Sequence, residues 1–148
     1  MDGQRSSFTA ELEALTARFG NRDSFDAAYA FLDLHLRWAN ALAVREPQNA
    51  IAQYLLAEDC QRTIGTFATG SGEGLASMSA LYEIMGQRAD LEEKLAALAH
   101  NYDEAKEHLQ HALAIWTQIQ SDPNGLGDDT PARSSIQRLQ SKIAGAQQ

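Results

Sequence analysis

The sequence is short of residues that would staple or flatten a fold. Cys60 is the only cysteine, which excludes a disulfide framework and a cysteine-rich zinc site. Val44 is the only valine, and proline occurs at 47, 123 and 131 alone. Scarce valine beside abundant Ala, Leu, Gln and Glu favours helix over sheet, because β-branched side chains lose rotamers in a helix and alanine loses none. No stretch alternates polar and apolar residues in the manner of a strand, and no apolar run approaches the length needed to cross a membrane. The opening Met1-Asp2-Gly3-Gln4-Arg5 lacks the apolar core of a secretory leader, so a cytoplasmic location is expected. Basic residues are outnumbered, 12 to 20, for a net charge of −8. The excess acid is spread through every third of the chain, which disfavours nucleic acid and anionic membranes and suits a basic protein partner.

What is present reads as an all-α fold. The expectation is a single-domain bundle of about five to six helices, with 148 residues sufficient for a core. Phe8, Leu12, Leu15 and Phe19 lie on one face of a first helix over 7–19. Ser24 has the character of an N-cap for a second helix reaching about Arg45. Its apolar stripe, from Phe25, Ala28 and Tyr29 through Phe31, Leu32 and Leu36 to Ala39, Leu42 and Ala43, is wide enough for a central position. Pro47 opens a third helix ending near Ala68. The run Thr69-Gly70-Ser71-Gly72-Glu73-Gly74 predicts a flexible loop over 69–74, followed by a short helix from Leu75 closed at Gly86. The stretch 121–129 predicts a second loop, after which Thr130 and Pro131 begin a last helix whose tail, 145–148, frays.

The strongest periodicity runs through Leu91, Leu95, Leu98, Tyr102, Ala105, Leu109, Ala112, Trp116 and Ile119, in alternating steps of four and three. Preceded by an Asp90–Glu93 capping box, it predicts one uninterrupted helix over about 91–119. Overlapping it, residues 101–123 resemble the second helix of a tetratricopeptide repeat. Tyr102, Ala105, Leu109 and Ala112 match its packing positions and Pro123 its closing proline. The stretch covers about a sixth of the chain. No aromatic-Leu-Gly signature falls in the preceding segment, Asn101 stands where a turn glycine is usual, and no second repeat follows. The resemblance implies a peptide- or protein-binding scaffold.

Candidate chemistry is sparse. Glu104, Glu107, His108 and His111 have the i, i+3 and i, i+4 spacings that bring ligands to one metal. On one helix they form an incomplete shell unless another element contributes, so no bound metal and no cofactor is expected. His35 shares the face of Leu32, Ala39 and Leu42, which suits a hydrogen-bonded core histidine or an acid–base group of shifted pKa. Cys60 lacks a base and an oxyanion site and reads as a packing residue. Gly70, Gly72 and Gly74 lack the lysine and the preceding strand of a phosphate loop. Trp38 and Trp116 read as core or interface residues.

Two functions fit. One is a non-catalytic protein-binding module of the adaptor, chaperone, antitoxin or immunity kind. It would act through an acidic helical surface with Glu58, Asp59, Glu73 and Glu83 at its rim, on a basic protein partner or on a second copy as a homodimer. The other is a small helical enzyme or ligand binder with a site around His35 or the His108/His111 pair.

Overall fold

The computed structural model describes residues 2–146, with side chains from residue 7 to residue 145. Among these residues it is an all-helical bundle without strands. The α-helices are α1 (Asp2–Phe19), α2 (Phe25–Leu42), α3 (Pro47–Gly65), α4 (Gly70–Leu98), α5 (Tyr102–Gln120) and α6 (Ala132–Ala146), with a 3-10 turn at Leu126–Asp129. No described helix is long and apolar enough to cross a membrane. Two compact units can be distinguished, Met1–Ile84 and Met85–Gln148.

In the first unit, α1 and α2 run antiparallel. Phe8 stacks on Trp38 and Phe19 meets Phe31, while Arg37 pairs with both Glu11 and Asp33. The Ser24 hydroxyl accepts from the Ala27 N–H at 3.1 Å and caps α2. The core between α2 and α3 alternates large and small: Phe31 and Leu34 lie among Ala27, Ala28, Ala39, Ala50 and Ala57, all fully covered. Alanines at those positions let the helix backbones approach closely. The expected stripe of α2 holds except at its start, where Phe25 and Tyr29 are exposed.

The sequence misleads most in α4. The segment 69–74 is no loop: helix begins at Gly70 and continues for 29 residues. The Glu73 carboxylate turns back to accept from the Thr69 N–H and hydroxyl, at 2.7 and 2.9 Å, satisfying backbone that a glycine-rich start leaves bare. Gly86 does not stop the helix either. A Cβ there would stand 2.8 Å from Cη2 of Trp116, so the missing side chain is a notch that receives the indole. Asp90 and Glu93 lie mid-helix and cap nothing. Glu93 instead accepts from Arg138 at 2.8 and 2.9 Å and from Lys142 at 2.6 Å, holding α6 against α4. Chiefly through the Arg138 guanidinium, its carboxyl is held down at about 2.

The predicted helix over 91–119 is broken at Ala99–Asn101. The Asn101 side chain accepts from the Glu104 N–H at 2.9 Å, and the Glu104 carboxylate accepts from the His100 N–H at 3.2 Å. This reciprocal cap starts a new helix in the reverse direction. Glu92 consequently faces His108, and Gly86 faces Trp116, so this half of α4 and α5 are antiparallel. Leu98 and Tyr102, centre of the expected seam, are 60% and 40% exposed at the reversal, whereas Leu109, Ala112, Trp116 and Ile119 are buried. Leu95 is only partly covered. The stretch 121–129 is organised by Asp122, whose carboxylate accepts from the N–H groups of Asn124 and Leu126. Gly127 lies against the Ile119 carbonyl, where a Cβ would collide with backbone. Gly145 and Ala146 belong to α6; the last two residues of the expected frayed tail lie outside the described residues.

Gly86→Ala tests the notch. Helix propensity alone would make alanine about 1 kcal/mol better. Overpacking against Trp116 costs about 1–3 kcal/mol. A net loss of up to about 2 kcal/mol is therefore expected in urea denaturation, and a stabilised variant would show that the indole does not fill this position.

Candidate functional site

An open groove of about 360 Å³ lies in the first unit, where the start of α2, the end of α3 and the start of α4 meet. The Ser24 cap fixes Phe25 at the first position of α2. Phe67 occupies the turn after α3, and its ring meets Phe25 edge-on with centroids 6.1 Å apart. Tyr29, one turn on, stacks on Phe25 at the same centroid distance. Phe25, Tyr29 and Phe67 are 45%, 60% and 46% exposed. Ala76, Ser77 and Ala80 on one face of α4 line the groove, with Ile64 and Gln61 from α3. The α3–α4 approach is fixed by Gln61 Nε2 donating to Ser77 Oγ at 3.0 Å, and by Gly65, whose Cβ position is only 3.1 Å from that hydroxyl. Exposed aromatics around small residues form the kind of surface that takes an apolar side chain of a partner.

The four acids expected at the rim divide. Glu58 is fully buried, 3.6 Å from Arg62, and belongs to no surface. Adjacent residues on a helix project about 100° apart, which is why its neighbour Asp59 is exposed and paired with Arg62 at 3.2 Å. Glu73 does line the groove. Its hydrogen bonds from Thr69, the backbone N–H first, hold its carboxyl below the usual range. Glu83 is exposed but is not among the groove residues. The pair of aromatics that frames the groove was hidden in the sequence because Phe25 fits the periodicity of the buried stripe.

His35 is 1% exposed. Arg22 Nη1 donates to its Nε2 at 2.7 Å, so the proton sits on Nδ1, which donates to Gln53 Oε1 at 2.7 Å. The same guanidinium lies 4.4 Å from the centre of the Phe31 ring and 4.0 Å from Cys60 Sγ. Burial, followed by the Arg22 charge, lowers the imidazole pKa against the opposing effect of Gln53. Both ring nitrogens are thus committed to protein partners, and the residue acts as a neutral cross-brace of α2, α3 and the α1–α2 turn. Burial pushes the Cys60 thiol up, away from the thiolate that a nucleophile needs.

In the second unit, His108 and His111 converge on a carboxylate, but not one on their own helix. Glu92 of α4, 6% exposed, places Oε2 2.7 Å from His108 Nδ1 and 3.5 Å from His111 Nδ1. The imidazoles are nearly perpendicular, with centroids 6.1 Å apart. Glu104 is occupied in capping α5, and Glu107 is exposed and outside the cluster. The residue missing from the sequence reading is therefore Glu92. The signal for it was the Asn101–Glu104 cap, which reverses the chain and brings 92 opposite 108.

The His35 arrangement has a signed pH consequence. The folded state holds the imidazole neutral, so on acidification the unfolded chain takes up this proton first, near its ordinary value of about 6.5. Stability from this site is present above that value and is lost as pH falls toward the lowered folded value. The wild-type urea midpoint should fall more steeply than that of His35→Gln between about pH 7 and 5. Parallel slopes would mean that His35 is not held neutral.

Comparison with protein-family models, with characterised proteins and with solved structures finds no match for this chain.

Proposed function

We propose that this protein is a non-catalytic binding module whose groove takes the apolar face of a basic, amphipathic helix from a protein partner. The carrying observation is the exposed trio Phe25, Tyr29 and Phe67 beside a groove lined by Ala76, Ser77 and Ala80. Aromatic side chains supply large, rigid contact area, and small residues leave room for an inserted side chain. Helix-in-groove recognition needs those two features and little else. The overall charge of −8 and the groove residue Glu73 favour basic over acidic partners and disfavour nucleic acid. A cytoplasmic place of action suits this reading, with the repeat-like α5 serving as scaffold. The occluded His35 lends the enzymatic alternative no support, since a general acid or base must reach its substrate.

Two synthetic amphipathic helices with the same apolar face, one basic and one acidic on the polar face, test the reading by fluorescence anisotropy. The basic peptide should bind, and Phe25→Ser/Phe67→Ser should weaken it by about tenfold or more while leaving the far-ultraviolet circular dichroism unchanged. Its association rate should fall with salt, since the Debye length is about 8 Å at physiological ionic strength. Equal affinity for both peptides would remove the charge selectivity, and an unaffected double variant would remove the groove. A concentration-dependent dimer in sedimentation equilibrium, abolished by the double variant, would assign the groove to a second copy of the chain instead.

A further inference from the structure

We propose that Glu92, His108 and His111 form a site for a divalent transition-metal ion of the zinc class, joining α4 to α5. Three ligand atoms, one from each residue, lie within 4.8 Å of one another. Tetrahedral bonds of about 2.0–2.2 Å to nitrogen and oxygen put ligand atoms about 3.3–3.6 Å apart. The Glu92–His111 separation of 3.5 Å already has that value, and the Glu92–His108 separation of 2.7 Å needs to open by less than an ångström.

A plain hydrogen bond accounts for His108, but not for His111. At 3.5 Å its Nδ1 lies beyond normal N–H···O range from the same carboxylate oxygen, and its ring stands edge-on to that of His108. Two imidazoles converging on one carboxylate oxygen is the arrangement that a shared cation organises. Two nitrogens and one oxygen select zinc, cobalt, nickel or copper over magnesium and calcium, which prefer all-oxygen shells. On the same helix the Lys106 ammonium lies 6.0 Å from the centre of the Tyr102 ring. His111 is half exposed, so an ion can enter from solvent and keep water on its remaining position. In the bound state the Nδ1 atoms of His108 and His111 would present lone pairs to the metal, each neutral ring carrying its proton on Nε2.

The test is titration of the untagged, chelator-stripped chain with Zn(II) and Co(II), followed by calorimetry and by the visible absorption of Co(II). The expected result is one saturable equivalent, an absorption band intense enough for four- or five-coordinate Co(II), and a raised melting temperature with Zn(II). His111→Ala, which removes an exposed side chain, should fold as the wild type and lose affinity by about tenfold or more. Glu92→Gln should do the same, and where burial makes it unstable the His111 variant decides alone. Absence of saturable binding, or undiminished affinity in His111→Ala, would overturn the site. Neither result bears on the groove, which lies in the other unit.

Discussion

The reversal at Ala99–Asn101 governs everything in the second unit. A straight continuation of α4 would carry His108 and His111 far along the helix axis from Glu92, since each residue adds 1.5 Å of rise. The Asn101–Glu104 exchange of hydrogen bonds turns the chain back instead. Three consequences follow from that one turn: Trp116 enters the notch at Gly86, Glu92 meets two histidines, and α5 offers its buried face to α6. The buried Trp116 indole N–H finds no hydrogen-bond acceptor among the described residues. The indole is thus placed by shape rather than by polarity, which makes the absence of a Cβ at Gly86 the decisive geometric condition.

The first unit depends on a different constraint, the satisfaction of buried polar groups. His35, Glu58 and Gln61 all lie within its core, and an unpaired polar group there would cost about 1–3 kcal/mol. Arg22 answers part of that demand. Its Nη1 donates to both His35 Nε2 and Cys60 Sγ, and its guanidinium lies over the Phe31 ring. With His35 braced in turn by Gln53, the register of α2 against α3 is fixed by directional bonds, which apolar packing between alanine-rich faces alone would specify poorly. That register places the start of α2 beside the end of α3, which is where the groove opens.

How far the fold was legible follows from these particulars. Helix content, the Ser24 and Pro47 starts, and the buried faces of α2 and α5 all rest on local chemistry and periodicity, and all are visible in the chain. Periodicity cannot distinguish a straight helix from a tight helical hairpin when the turn is short enough for the apolar steps to keep their count. Leu98 and Tyr102 fit the heptad and yet sit at the reversal. The information that breaks the ambiguity is the cap at Asn101, and the apparent box at Asp90–Glu93 competed with it on equal terms. Gly86 and the glycines at 70, 72 and 74 misled for a related reason. Helix propensity penalises each by roughly 1 kcal/mol, but a tertiary notch and the Glu73–Thr69 bonds outweigh that. Of the candidate sites, the histidine pair was visible and its partner was not, because Glu92 comes from a segment assumed to be the same helix.

The carboxylates carry this lesson into function. Counted along the sequence they form a uniform acidic surface, but the structure distributes them over separate tasks. Glu58 is interior, Glu104 caps a helix, Glu93 clamps α6, Glu11 and Asp33 hold Arg37, and Glu92 faces two histidines. Charges already opposed by a neighbouring cation project little field beyond a Debye length of about 8 Å. The field free to steer a partner is therefore weaker than −8 suggests, and the acids near the groove reduce to Glu73 and those flanking Phe25, Asp23 and Asp26. In the proposed binding module, charge would then set the sign of the partner and the rate of encounter. The affinity of the proposed complex would come from what Phe25, Tyr29 and Phe67 cover, because exposed aromatic area is the surface whose burial releases the most free energy.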